Sequence, residues 1–587
     1  MRRTFGKLAL ITSCALTVPA CEQATHPEAN STDLAAATVT ELADRYYADT
    51  LERTPELAYF SGIDLTRHDG IENNSPDARQ ATEADIDDML RQLASVDADL
   101  LVGRAEWITH AYLLQELKSS VGQRVCRFDL WNVNQMHGWH LAYSQIAELQ
   151  PTGTPEFRQQ SIARWSKFAH YVDQEIEYLR QGLEQGYSAP KSVVQRVIDQ
   201  VDGLLAPDIE QSPFYSPAAR DDDELFITGM RDIVAEQIYP ALKRYRDYLA
   251  NTYIKGARAE LSVTANPDGL ACYEASLRAN TTLERSGKEV YELGNKVVAE
   301  NRAKVIELGR AAYGLDNFKA VIDKANADAS DRFTSKDEVL RFARGAVSRA
   351  KAEMPGWVGN MPEQAVEVVP FPEYEEGTGR SAHYRPGTAE RAAEYRIPLF
   401  RPEEQSRGNL EATAFHETWP GHHLQVAAGQ AMEGMHPITQ LIWFSGPGEG
   451  WARYAEALAD EMGLYETTTG PIKRRAWPAR GMVVDPGIHL FGWSREQAIE
   501  YMVESGRFSD DRGDEMVDRI AILPGQLTAY DSGGLEILAL RRLAEDALDN
   551  DFDIREFHDR ILENGTIPLV QLRTHIEAWI TDQAARN

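Results

Sequence analysis

Three histidines fall within eight residues in the segment His416-Glu417-Thr418-Trp419-Pro420-Gly421-His422-His423-Leu424-Gln425. Histidines beside a carboxylate are the material of metal-assisted hydrolysis. Two neutral imidazoles hold zinc, and a nearby carboxylate takes a proton from the water that the zinc activates. The usual helical arrangement is His-Glu-x-x-His, in which a spacing of four places both rings on one face, one turn apart. Here the fourth position after His416 is Pro420, and the next histidines come at the sixth and seventh.

In an unbroken helix His416 and His422 would be separated by roughly 9 Å of rise and would point in different directions. His423 would return to the face of His416, but about 10 Å along the axis. A shared ion therefore requires the helix to deform between the histidines. Pro420 has no N–H to bond the carbonyl of His416 and crowds it, and Gly421 accepts backbone angles that other residues avoid. The spacing predicts a bulge or break at Pro420-Gly421 that folds His422 back toward His416. A helix that simply ends at Pro-Gly, with surface histidines, is the alternative that spacing leaves open.

Several elements must position this segment. Residues 409–415 read as a helix lead-in that holds His416 and Glu417. After a loop rich in Gly and Pro, residues 448–456 open another helix, on which Glu456 and Asp460 are expected to be solvent-facing charges. Pro524-Gly525-Gln526 reads as a turn leading to Tyr530 on a helix, and Ser532-Gly533-Gly534 as a hinge. A phenol or imidazole over the metal would stabilise the oxyanion formed when water attacks a carbonyl. Residues 366–370 and 395–400 read as short strands, with a further alternating stretch around 257–265. The 395–400 strand, with Tyr395 and Arg396, is either a substrate platform beside the metal helix or a small structural hairpin. No Gly-x-Ser-x-Gly elbow and no phosphate loop competes for the chemistry.

From about residue 255 onward the chain resembles the bacterial DUF885 family, placed among the helical zinc metallopeptidases of the gluzincin type. The blocks are Pro267-Asp268-Gly269 with Tyr273 and Leu277-Arg278, then His416-Glu417-x-x-Pro420-Gly421-His422-His423-Leu424-Gln425 and Glu449-Gly450-Trp451-Ala452. Asp485-x-Gly487-Ile488-His489 with Gly492-Trp493-Ser494, Pro524-Gly525-Gln526 with Tyr530-x-x-Gly533, and Phe557-His558-Asp559 follow. Upstream, only the helical texture matches.

The resemblance implies a mainly α protein with a large helical zincin-like (gluzincin-type) fold and a few short strands beside the active-site helix. It implies zinc as cofactor, held by His416, His422 and Glu449, with Glu417 as general base and Tyr530 as oxyanion donor. His489 is the other candidate for that last role, although a hydrogen-bonded core position suits it slightly better. His423 is the rival second ligand, and otherwise a supporting or substrate-contacting group together with Tyr395 and Arg396. The expected activity is zinc-dependent hydrolysis of peptides or small proteins. The alternatives are a zinc amidase acting on cell-wall fragments and a binding lipoprotein built on a degenerate peptidase fold.

Composition agrees with an ordinary globular protein, 43% hydrophobic and 26% charged, while a net charge of −30 disfavours nucleic acid and anionic headgroups as partners. Arg2, Arg3 and Lys7 precede a short apolar run, which reads as an export signal over residues 1–20. The run closes on Leu16-Thr17-Val18-Pro19-Ala20-Cys21, similar to a bacterial lipobox, with Pro19 an unusual occupant and Ile11-Thr12-Ser13-Cys14 a weaker rival. Cys21 would then carry the lipid and be the only membrane anchor, placing the protein on the periplasmic side of the envelope, at the outer membrane. Residues 21–36 read as a tether, 37–254 as a helical half and 255–587 as the catalytic half, with the two halves sharing an interface. Cys126 and Cys272 either pair or stay as buried thiols.

Overall fold

The computed structural model describes residues 31–372, 376, 381–388 and 391–586. The export signal, Cys21 and the first part of the expected tether lie outside the described residues. Residues 31–36 are not tether: they open the helix Ser31–Arg53, which buries Ala35, Ala36, Val39 and Leu42. That apolar spacing gives one face of the helix a core to pack on, which a tether lacks.

The chain is mainly helical. Local sequence accounts for much of this. The helix Pro76–Leu93 buries Ile86, Met89 and Leu93 on one stripe. The helix Gly287–Tyr313 starts from a complete capping box, Ser286 with Glu289. The Ser335–Glu338 pair is only half a box. Ser335 caps the Glu338 N–H, but Glu338 turns to the backbone N–H and hydroxyl of Thr334. Among the described residues no helix is long and apolar enough to cross a membrane.

The apolar cores ignore the midpoint of the chain. One joins Val39, Met89 and Leu113 to Phe415, Trp451 and Leu572. A second joins Trp165, Val197 and Tyr245 to Cys272, Tyr273 and Ile522. Cys126 and Cys272 form a disulfide across the same interface, 146 residues apart in sequence.

Among the described residues three strands make one small sheet: β1 (Val366–Pro370), β2 (His383–Arg385) and β3 (Ala393–Ile397), in the order β1-β3-β2. β1 runs parallel to β3 and β2 antiparallel to it. The strand expected over 395–400 thus begins at Ala393 and ends before Pro398, and it is the central strand, with no free edge. Its Tyr395 is fully buried, so the platform reading gives way to a structural one for β3. The edge facing the histidine motif belongs to β2. No strand forms over 257–265. A single bridge joins Pro190 to Arg258, and Val263–Ala265 is a 3-10 turn. Pro190 has no N–H with which to extend a ladder.

The separate sequence blocks meet in space. Asp485 accepts a hydrogen bond from the Tyr273 hydroxyl at 2.8 Å and from the Gly525 N–H at 3.1 Å. Gly525 has φ +79°, and a Cβ there would lie 2.8 Å from the Leu277 Cα. Helices Ser445–Glu461 and Ala529–Leu548 touch through glycines, since a Cβ on Gly450 would lie 2.5 Å from the Gly533 Cα. The close crossing excludes the hinge role for Gly533, because its backbone is packed against the neighbouring helix.

Asp485 is fully buried, and burial pushes its carboxyl up to about 7. A carboxyl raised in the folded state favours folding while protonated, and that advantage is lost as pH rises from about 4 to about 7. Asp485→Asn is therefore expected to melt with the native protein at pH 4 and above it at pH 8, with a gain of at most about 4 kcal/mol. Thermal denaturation across that pH range measures it.

Candidate metal centre

Helix Arg407–Glu417 starts at the Ser406 cap, whose hydroxyl oxygen accepts from the Asn409 N–H at 3.1 Å, and carries His416 and Glu417 in its last turn. It stops where the proline predicts. Thr418 leaves the helical region at φ −119° and ψ −109°, the Trp419–Pro420 peptide is cis, and a second helix runs from His422 to Gln430. The break is held from outside by the indole of Trp451, which donates to the carbonyls of Pro420 at 2.9 Å and Gly421 at 3.2 Å. Gly421 is required by space and not by a left-handed backbone, since its φ is −80°. A Cβ there would lie 1.9 Å from the His416 carbonyl oxygen and 2.4 Å from that of Phe415.

The folded-back loop brings the His416 and His422 rings to a centroid separation of 4.9 Å, nearly perpendicular at 88°. Glu449, from the first turns of helix Ser445–Glu461, meets both. Its Oε2 lies 3.5 Å from His416 Nε2 and 3.4 Å from His422 Nε2. Tetrahedral zinc with bonds of ~2.1 Å sets its ligand atoms ~3.4 Å apart, the spacing of Glu449 from each imidazole, and the three donors all lie within 4.8 Å of one another. The three side chains stay 13%, 11% and 18% exposed, leaving the cluster open to a small molecule from solvent. They are also the one group among the described residues whose geometry could hold a metal ion.

Glu456 is not a solvent-facing charge. It is 5% exposed, and its carboxylate accepts from His416 Nδ1–H at 2.9 Å. Arg453 donates to both Glu456 oxygens, at 2.8 and 2.9 Å, and lies 3.1 Å from Asp531. Burial alone would raise the Glu456 carboxyl, but the Arg453 charge and the His416 hydrogen bond hold it down at about 2. An ionised carboxylate can only accept, so Nδ1 carries a proton; burial opposes the imidazolium, but Glu449 and Glu456 hold His416 up at about 10, so Nε2 would shed its own proton to take a metal ion. Glu456→Gln, which weakens this clamp and strips Arg453 of one counter-charge, is expected to lower zinc affinity about 10- to 100-fold and the melting temperature with it. A chelator-competition titration measures it.

Glu417 lies beside the cluster, and its Oε2 accepts from the Tyr384 N–H on β2 at 2.9 Å. Burial raises its carboxyl, opposed by the neighbouring His416, a setting suited to a group that must take up a proton. Tyr530, on helix Ala529–Leu548, lays its ring parallel to His416 at 6.4 Å, tilted by 20°. Its hydroxyl accepts from Arg519 Nη2 at 3.3 Å.

The other sequence candidates are placed elsewhere. His423 is fully buried, with Nε2 donating to the Gln364 carbonyl at 3.0 Å and Nδ1 accepting from the Tyr384 hydroxyl at 3.2 Å. Both nitrogens are committed, and it is the His422 ring, not that of His423, that meets His416 and Glu449. His489 is 2% exposed, taking the Val263 N–H on Nδ1 and donating from Nε2 to the Ile520 carbonyl. It is a core residue and not an oxyanion donor. Tyr395 is interior, and Arg396 pairs with Glu394 at 2.9 Å. Two residues that carry no spacing signal take their place at the opening. One is Trp443, 51% exposed with its ring 6.2 Å from His422, and the other is Tyr384 on the free edge of β2.

Fold and site together define a helical protein with a His-His-Glu candidate metal centre next to the edge of a small sheet. The chain belongs to the DUF885 family, described as "Bacterial protein of unknown function", whose profile matches residues 55–576. The match takes in the upstream half as well, which the sequence blocks alone did not reach. Two solved structures share the fold. One is described as "the putative lipoprotein from Colwellia psychrerythraea", with a TM-score of 0.84 and 22% identity over 94% of this chain and 100% of that one. The other, "a putative lipoprotein of unknown function from Shewanella oneidensis", has a TM-score of 0.76 and 17% identity over 91% of this chain and 99% of that one. None of the curated proteins matches the chain.

Proposed function

We propose that this protein is a zinc-dependent peptidase of zincin-like architecture, exported and held to the periplasmic face of the envelope by lipid on Cys21. The observation that carries the catalytic reading is the meeting of His416 Nε2, His422 Nε2 and Glu449 Oε2 at zinc-ligand spacing, with the Glu417 carboxylate beside them. Zinc held there would lower the pKa of its water and polarise a substrate carbonyl. Glu417 takes the proton from the attacking water and passes it to the leaving amine. Tyr530, aligned with His416 and supported by Arg519, offers its phenol to the developing oxyanion. Trp443 gives the opening an apolar wall for a side chain. The basic and apolar leader and the lipobox-like Cys21 support the location. The buried Cys126–Cys272 disulfide suits an oxidising compartment, and both structural relatives are described as lipoproteins.

Metal analysis of the freshly purified full chain tests the reading. One zinc per chain is expected, with its loss in His422→Ala and Glu449→Gln, and cleavage of a mixed peptide library that stops with the metal's removal. A metal-free protein that still cleaves, or a zinc content unchanged by both substitutions, overturns it.

A further inference from the structure

On the side of the sheet away from β2 lies a groove of about 450 Å³ between the outer edge of β1 and helix Lys336–Glu353. Its lining is Arg344, Val347, Ser348 and Lys351 from the helix, Ala365 with residues 366–369 of the strand, and Trp419. Among the described residues no strand pairs with this edge of β1. Ala365 O accepts from Ala393 N, and Phe371 N donates to Ile397 O. Odd-numbered residues of β1 therefore turn their backbone to β3. Val366 and Val368 turn theirs to the groove, where the Val368 carbonyl meets Arg344 Nη2 at 3.3 Å. Pro370, with no N–H, ends the edge.

The charges in the groove are unusual for this chain. In a protein of net charge −30, Arg344 and Lys351 have no carboxylate partner among the described residues, and Glu367 is the single acidic residue of the lining. They sit seven residues apart on one helix face, about 10 Å of rise, the length of about three residues of extended chain. Trp419 adds a third feature. It is fully buried and its indole N–H has no partner, a rare condition for a buried donor. Lys351 Nζ lies 5.8 Å from the centre of that ring.

We infer that this groove is a second binding site, which takes an extended peptide segment as an added strand on β1 and holds its carboxylates between Arg344 and Lys351. Strand addition supplies affinity through the backbone, and the two cations select acidic or C-terminal residues. Trp419 connects the groove to the metal loop, since it precedes Pro420-Gly421 and packs edge-on against His423 at 4.6 Å. The inference does not depend on zinc or on hydrolysis.

The test is fluorescence anisotropy of fluorescein-labelled Ala-Val-Glu-Val-Glu with a free C-terminus, titrated with the full chain as purified and after EDTA treatment. Saturable binding is expected under both conditions. It should weaken about fivefold or more for the neutral amide Ala-Val-Gln-Val-Gln, and as much for Arg344→Gln and for Lys351→Gln. Both substituted side chains are exposed, so melting temperatures should not move. Trp419→Phe removes the N–H and leaves a smaller aromatic ring, and should weaken binding in the same direction, with its melting temperature read alongside. His422→Ala should bind as the native protein does. No binding up to millimolar protein, equal affinity for the neutral amide, indifference to both cation variants, or loss of binding in His422→Ala each overturns the inference. The last of these would put the peptide at the metal centre.

Discussion

Glu417→Gln is expected to keep its zinc and lose about 10²- to 10⁴-fold in kcat, the usual worth of a positioned general base. Gln has the same shape and can still accept from the Tyr384 N–H through its carbonyl oxygen, so the contact between the motif helix and β2 survives. What it cannot do is take a proton. The ligand set does not include Glu417, so zinc content should be unchanged, and KM should move far less than kcat because the loss falls on the transition state. Parallel metal analysis and steady-state kinetics on one peptide read both quantities. A variant that retains native kcat refutes the assignment of Glu417 as base. A variant that loses zinc would show instead that Glu417 helps to form the metal site.

Gly421→Ala carries the second large effect, and it acts through space. The added methyl would stand 1.9 Å from one backbone carbonyl and 2.4 Å from another. Neither atom is the end of a flexible side chain, so the turn between Glu417 and His422 must open. The His422 ring then leaves Glu449 and His416, and zinc affinity is expected to fall by about 100-fold or more. Gly429→Ala is the matched control. It lies on the same short helix, but its Cβ would meet nothing nearer than 3.9 Å, so affinity and melting temperature should both stay native. Chelator competition separates the two variants. Equal affinities would mean that the loop between the histidines does not set the site.

Residues close in sequence made the local part of this site legible. His416 and Glu417 are neighbours. Pro420 removes a helical hydrogen bond wherever it stands, and Gly421 follows it, so the break between two histidine-bearing helices could be expected before any fold was known. The β1 strand at 366–370, the Ser286 capping box and the Ile86-Met89-Leu93 stripe were legible for the same reason, because each depends on backbone hydrogen bonds or side-chain spacing within a few residues.

Tertiary structure decided the rest. Glu449 and Glu456 stand two turns apart on one helix, and nothing in their spacing separates a buried pair from two solvated charges. Glu456 is buried and Glu449 nearly so because glycines 450 and 533 let helices Ser445–Glu461 and Ala529–Leu548 close together, with Arg453 offsetting the negative charge of Glu456 and Asp531. His422 and His423 are adjacent and chemically equal. The choice between them follows from Gln364 and Tyr384, both distant in sequence, which occupy His423. Trp443 and the β2 edge were likewise invisible and the Cys126–Cys272 pairing undecided, because each gains its meaning from a partner that only the folded chain brings near. Sequence determines which groups are available and where the backbone must bend, whereas burial and long-range partners determine which of those groups stay free to bind a metal.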